Sequence, residues 1–113
     1  MDFMKEIDAL CELNNMYNEY YTQQKNDVQT GKLPGFQFAR DNVMFEAECF
    51  MKMYATSSAI LYLAQKALKD DSTFLESSQR EHISGLVAYL NAEIPNMEKY
   101  ICERLYKAYE DSF

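Results

Sequence analysis

The chain has little that would interrupt a helix. Among 113 residues there are 3 Gly and 2 Pro, too few to turn the backbone as often as a β-sandwich requires, while the alanine, leucine, methionine, glutamate and lysine usage favours helix. Histidine is scarcer still. With His82 as the sole histidine, a di-iron bundle needing two Glu-x-x-His elements cannot be assembled. A catalytic zinc site that draws on two histidines or cysteines beside a carboxylate is equally out of reach. The Arg-x(4-6)-His signature of helical-bundle ribonucleases is missing too, because Arg80 is too close to His82 and no histidine follows Arg104. Cys11, Cys49 and Cys102 form no CxxC or zinc-type spacing. Placed one to a predicted helix among mostly apolar neighbours, they read as reduced, buried thiols. Gly31 and Gly35 are not followed by the Lys-Ser/Thr of a phosphate-binding loop. Neither a metal nor an organic cofactor is expected.

Positive charge is also in deficit. Eleven Lys and Arg stand against 18 Asp and Glu, a formal net charge of −7, so there is no basic surface to release counterions from a phosphate backbone. Direct binding of nucleic acid is not expected. No run approaches ~18 uncharged apolar residues, and residues 1–6 carry neither a basic leader nor a sustained apolar stretch. The expectation is a soluble cytoplasmic protein, neither secreted nor embedded in a membrane.

What is present fits one folded domain over residues 1–113. Hydrophobic residues at 48% and charged residues at 26% match globular averages, and a chain of this length buries roughly two thirds of its unfolded surface. From Phe3, the positions Ile7, Leu10, Asn14, Tyr17, Tyr21, Gln24 and Val28 follow a 4-3-4-3 spacing that keeps one face of a helix in register. Residues 30–35, Thr-Gly-Lys-Leu-Pro-Gly, form the clearest turn. A second helix is predicted to begin between Phe36 and Ala39 and to end at Lys69, about 45 Å long from Ala39 at ~1.5 Å per residue. It carries two apolar stripes: Val43, Ala47, Phe50, Tyr54, Ser57, Leu61, Ala64 and Leu68, and, about 100° round the cylinder, Phe45, Cys49, Met53, Ile60, Leu63 and Ala67. Two stripes need two neighbours, which places this helix in the middle of a bundle. Two capping boxes compete to open the next helix, Thr73 with Glu76 or Ser78 with Glu81. Its seam, Ile83, Val87, Leu90, Ile94, Met97, Ile101 and Ala108, is interrupted only by Arg104 and passes through Pro95. Proline inside a helix removes a donor and clashes with the preceding turn. The predicted fold is therefore an all-α antiparallel helical bundle of three long helices, the third kinked or split at Pro95, with a four-helix variant if the chain breaks there.

Function is less legible. A Ser or Cys nucleophile using His82 remains as the only route to a small enzyme. His82 sits beside Arg80 and Glu81 near a helix start, where a solvated histidine is ordinary, so no catalytic residues are expected unless His82 is buried in a cleft. Glu46 with Glu48, and Asp70 with Asp71, read as solvation and capping rather than acid and base. Two surfaces stand out. Asp8, Glu12, Asn15 and Glu19 repeat a 4-3-4 spacing roughly 140° from the first seam, and no Lys or Arg stands at i±4 of the three acids. This stripe is either a solubilising face or a docking face for a protein with a basic surface. On the second helix, Met51, Ala55, Ala59 and Tyr62 lie where charges should continue, so either the chain's own C-terminal segment or a second copy covers them. Tyr17, Tyr20, Tyr21, Tyr100, Tyr106 and Tyr109 suit the half-buried rim of an interface. The expected function is a non-catalytic interaction module, an inhibitor or adaptor acting on a partner with a basic surface, such as a nucleic-acid-binding protein, in the manner of phage-type inhibitors of host machinery. The alternative is an immunity- or antitoxin-like bundle that neutralises a toxin.

Overall fold

Two helix starts show how local chemistry sets the architecture. At the first, Asp2 Oδ1 accepts the Lys5 backbone N–H at 3.1 Å while Asp2 O accepts the Glu6 N–H at 3.1 Å. Asp2 is thus the N-cap, satisfying one of the donors a helix start leaves open. At the third helix, Glu76 O accepts the Arg80 N–H at 2.9 Å and the Glu76 N–H donates to Gln79 Oε1 at 3.0 Å. That is the return half of a capping box, made by glutamine at the third helical position. Ser78 therefore lies inside the helix rather than at its cap, and Thr73 falls outside the described residues.

The computed structural model describes residues 2–29, 39–70 and 74–110, which excludes the predicted turn at residues 30–35. Three helices result: α1 (Phe3–Gln29), α2 (Ala39–Lys69) and α3 (Ser77–Glu110). The described residues contain no strand. α3 is one continuous helix with Pro95 inside it, the register of its apolar seam running through the proline. Among the described residues, α2 packs against both α1 and α3, whereas α1 and α3 make no close backbone approach. The two-striped helix is therefore the middle one. Cross-helix pairs set the direction. Asn14 reaches Met53 and Thr56 while Tyr21 meets Phe50, and Tyr54 reaches Glu98 while Phe50 meets Tyr100. Both α1 and α3 therefore run antiparallel to α2.

At one end the three helices close on a mainly aliphatic core. Phe3 and Ile7 of α1, Ile60, Ala64 and Ala67 of α2, and Ile83, Leu90 and Ile94 of α3 form a single buried cluster. At the other end the filling is aromatic, with Tyr21–Phe50 centroids at 5.1 Å and Phe50–Tyr100 at 4.8 Å. The molecule is a rod of 54 × 28 × 20 Å, because helices of 27, 31 and 34 residues are longer than three side-by-side cylinders are wide. The thiols are free, and Cys49 is buried and Cys11 half-buried, but Cys102 is exposed. The expectation of uniformly buried cysteines fails at Cys102, which lies just off the apolar seam marked by Ile101.

Candidate functional site

The site is built on α1. Its seam turns Phe3, Ile7, Asn14, Tyr17 and Tyr21 inward, which leaves the opposite side to solvent. Asp8, Glu12, Asn15 and Glu19 are all exposed there. Among the described residues none of the three acids forms an ion pair. Asp8 and Glu12 border a wide cleft at the bundle end that also takes in Lys5 and Lys66. Glu19 lies further along the helix, beyond that cleft.

Beside Asn15 a second, narrower groove opens, and its origin is the topology. Because α1 and α3 each lie on α2 without approaching one another, a channel runs between them, floored by Phe50 and Met53 of α2. Its volume is about 370 Å³. Asn14, Asn15 and Asn18 supply the α1 wall. Across from them stand Glu93, Asn96, Met97 and Tyr100 of α3. Asn14 is held firmly. Its Nδ2 donates to Met53 O at 3.0 Å, Thr56 Oγ1 at 2.7 Å and Ser57 Oγ at 3.2 Å. Thr56 in turn donates its hydroxyl proton to the backbone carbonyls of Lys52 or Met53, so its oxygen is available to Asn14. The seam asparagine is thus a polar group that meets the next helix.

Tyr100 of the groove wall also belongs to a charged and aromatic knot outside the groove. Arg104 Nε donates to Tyr100 Oη at 2.9 Å and its guanidinium carbon lies 5.0 Å from the Tyr100 ring centroid. The same nitrogen is 3.5 Å from Glu46 Oε2. Glu46 is 14% exposed in its side chain and this oxygen is buried without a hydrogen bond, so among the described residues it is the Arg104 charge that offsets its own. Glu46 is thus a half-buried ion-pair member rather than a fully solvated residue. The hydrogen bond to Tyr100 pushes the Arg104 pKa further up, and burial, followed by the nearby Glu46 carboxylate, raises the Tyr21 phenol above its ordinary range. Arg104 therefore stays cationic. The interruption it makes in the α3 seam is the sequence signal that a half-buried anion waits on a neighbouring helix. Nothing in the sequence singled out Asn18, Glu93 or Asn96, which become a wall only once α1 and α3 flank α2.

On the outer face of α2, Met51 is 46% exposed, Tyr62 is 63% exposed and Ala55 is exposed, with Ala59 half-buried. α3 packs on the other side of α2, so intramolecular cover of this strip by the C-terminal helix, one of the two expectations, does not occur. The Lys66 ammonium lies 5.8 Å from the Tyr62 ring centroid, at the end of the strip. His82 is exposed on α3, so the condition set for a His82-based centre is not met. Among the described residues, no group of three or more His, Cys, Asp or Glu is placed to hold a metal ion, and no helix is long and apolar enough to cross a membrane. Comparison with protein families, curated proteins and solved structures finds no match to this chain.

Proposed function

We propose that the protein is a non-catalytic interaction module whose α1 face docks on a basic protein surface. The observation that carries this is the row Asp8, Glu12, Asn15 and Glu19, exposed along one side of a helix whose other side is core, with the three carboxylates unengaged by ion pairs among the described residues. A net charge of −7 steers such a face toward a cationic partner and away from phosphate. The partner is a protein that itself handles nucleic acid, whose phosphate-binding surface the carboxylates occupy, which makes this chain an inhibitor or adaptor. A toxin neutralised by the same face is the immunity-type version and differs only in the partner.

The test is charge reversal at Glu12 and Glu19. With both changed to lysine, capture of the basic partner from extracts of the native source should be lost, while the wild-type chain retains it at low salt and releases it as salt rises. The double variant should unfold within about 0.5 kcal/mol of wild type, since both positions are exposed. Equal capture by the two proteins overturns the proposal.

The outer strip of α2 supports a second contact. Met51, Ala55, Ala59 and Tyr62 form an uncharged surface between Lys52 and Lys66, with small residues that let another helix approach closely. We propose that a second copy of the chain covers it, giving a homodimer.

A further inference from the structure

We infer that the groove between α1 and α3 receives an arginine side chain of the docked partner. The inference rests on the reading of α1 as a docking face, and it adds what that face grips. The groove is open to solvent and about 370 Å³ in volume, which gives room for a single long side chain reaching in from a partner docked over it.

The lining selects which side chain enters. Phe50 and Met53 make an apolar floor, with Met97 at the foot of the α3 wall, suited to the methylene stem of a long residue. Above them stand acceptors. Asn14 commits its Nδ2 to α2, which leaves Oδ1 as its unengaged atom. Glu93, half-buried in the opposite wall, forms no ion pair among the described residues. Asn18 and Asn96, one on each wall and both exposed, are free to turn their amide oxygens toward the channel. A carboxylate with amide oxygens facing it across a narrow channel matches a planar guanidinium, which offers five N–H donors in a fixed fork and no acceptor. A lysine ammonium would satisfy Glu93 but presents a single compact charge, which cannot span both walls. An acidic or phosphorylated side chain is repelled by Glu93, and a purely apolar one would strip water from the acceptors without replacing it. The location completes the case. Asn15, a member of the exposed α1 row, is also at the lip of the groove, so a basic surface seated on Glu12 and Glu19 carries its side chains over this opening.

The probe is the tripeptide acetyl-Gly-Arg-Gly-amide, titrated into the full ¹⁵N-labelled chain, with acetyl-Gly-Lys-Gly-amide and acetyl-Gly-Leu-Gly-amide as controls. The expected result is a saturable shift of the side-chain amide signals of Asn15, Asn18 and Asn96. Affinity for the lysine peptide should be several-fold lower, and the leucine peptide should not bind. Glu93→Gln should weaken the arginine peptide about tenfold, the loss of roughly one paired charge, with an unchanged thermal melt showing that the fold is intact. Equal response to the arginine and lysine peptides, shifts confined to Asp8, Glu12 and Glu19, or insensitivity to Glu93→Gln each overturn the inference. Failure here remains distinct from failure of the docking face. Glu93→Gln leaves Glu12 and Glu19 untouched, and the charge-reversed α1 variant keeps Glu93.

Discussion

Asn14 occupies a place that an aliphatic residue would fill by pattern alone, and what it does there is visible in its three bonds to α2. The energetic asymmetry of buried polar groups makes its removal informative. Asn14→Ala removes the donor while Thr56 and Ser57, both buried, remain, so the loss should approach the cost of leaving polar atoms unpartnered, about 1–3 kcal/mol. Urea denaturation should show the midpoint falling with little change in slope. A loss well under ~0.5 kcal/mol would show that water substitutes fully through the adjoining groove. This residue was legible because a polar side chain in a seam invites a partner on the next helix. Glu46 was not, because its character depends on Arg104 of another helix, and neighbouring Glu48, which is exposed, has the same local look. Arg104 on an apolar seam was half of that clue. The other half required the antiparallel register of α2 and α3.

Helix existence was far easier to read than helix starts. The observed Ala39–Lys69 lies within the predicted span of α2 and ends where expected, since apolar residues recur at helical spacing throughout and nothing breaks them. The start of α3 escaped because its cap is Glu76, outside the usual N-cap residues, with Gln79 supplying the side-chain bond. Within α3 one position is a reserve of stability. Gly85 is exposed, mid-helix, and a Cβ built there meets no atom within 4 Å. Glycine loses more backbone entropy on folding than alanine and nothing at this site requires it. Gly85→Ala should therefore stabilise the protein by about 0.5–1 kcal/mol, seen as a rise of several degrees in Tm by circular dichroism. A fall in Tm would mean that α3 departs from regular helical backbone at that residue.

For the molecule as a whole, the layered order α1, α2, α3 leaves two kinds of exposed surface, the acidic row of α1 and the uncharged strip of α2, and they answer differently to salt. The bundle was legible because two stripes on one helix demand two neighbours. The groove was not, because it is made by the gap between two helices whose backbones do not approach one another. If a second copy covers Met51, Ala55, Ala59 and Tyr62, two chains of charge −7 each must be brought together. Their mutual repulsion is long-ranged at low ionic strength and shrinks as the Debye length falls from ~30 Å at 0.01 M to ~8 Å at 0.15 M. Apolar contact is not weakened by such screening. Dimerisation should therefore strengthen with salt, whereas docking of the α1 face on a cationic partner should weaken with it. Light scattering at tens of micromolar should show a mass that moves toward twice 13.3 kDa as salt is raised, and Tyr62→Lys, which adds a desolvation cost at the strip, should hold the chain at the monomer mass in every buffer. A strictly monomeric wild-type protein across that range removes the dimer and leaves the α1 face as the remaining proposed surface for another chain.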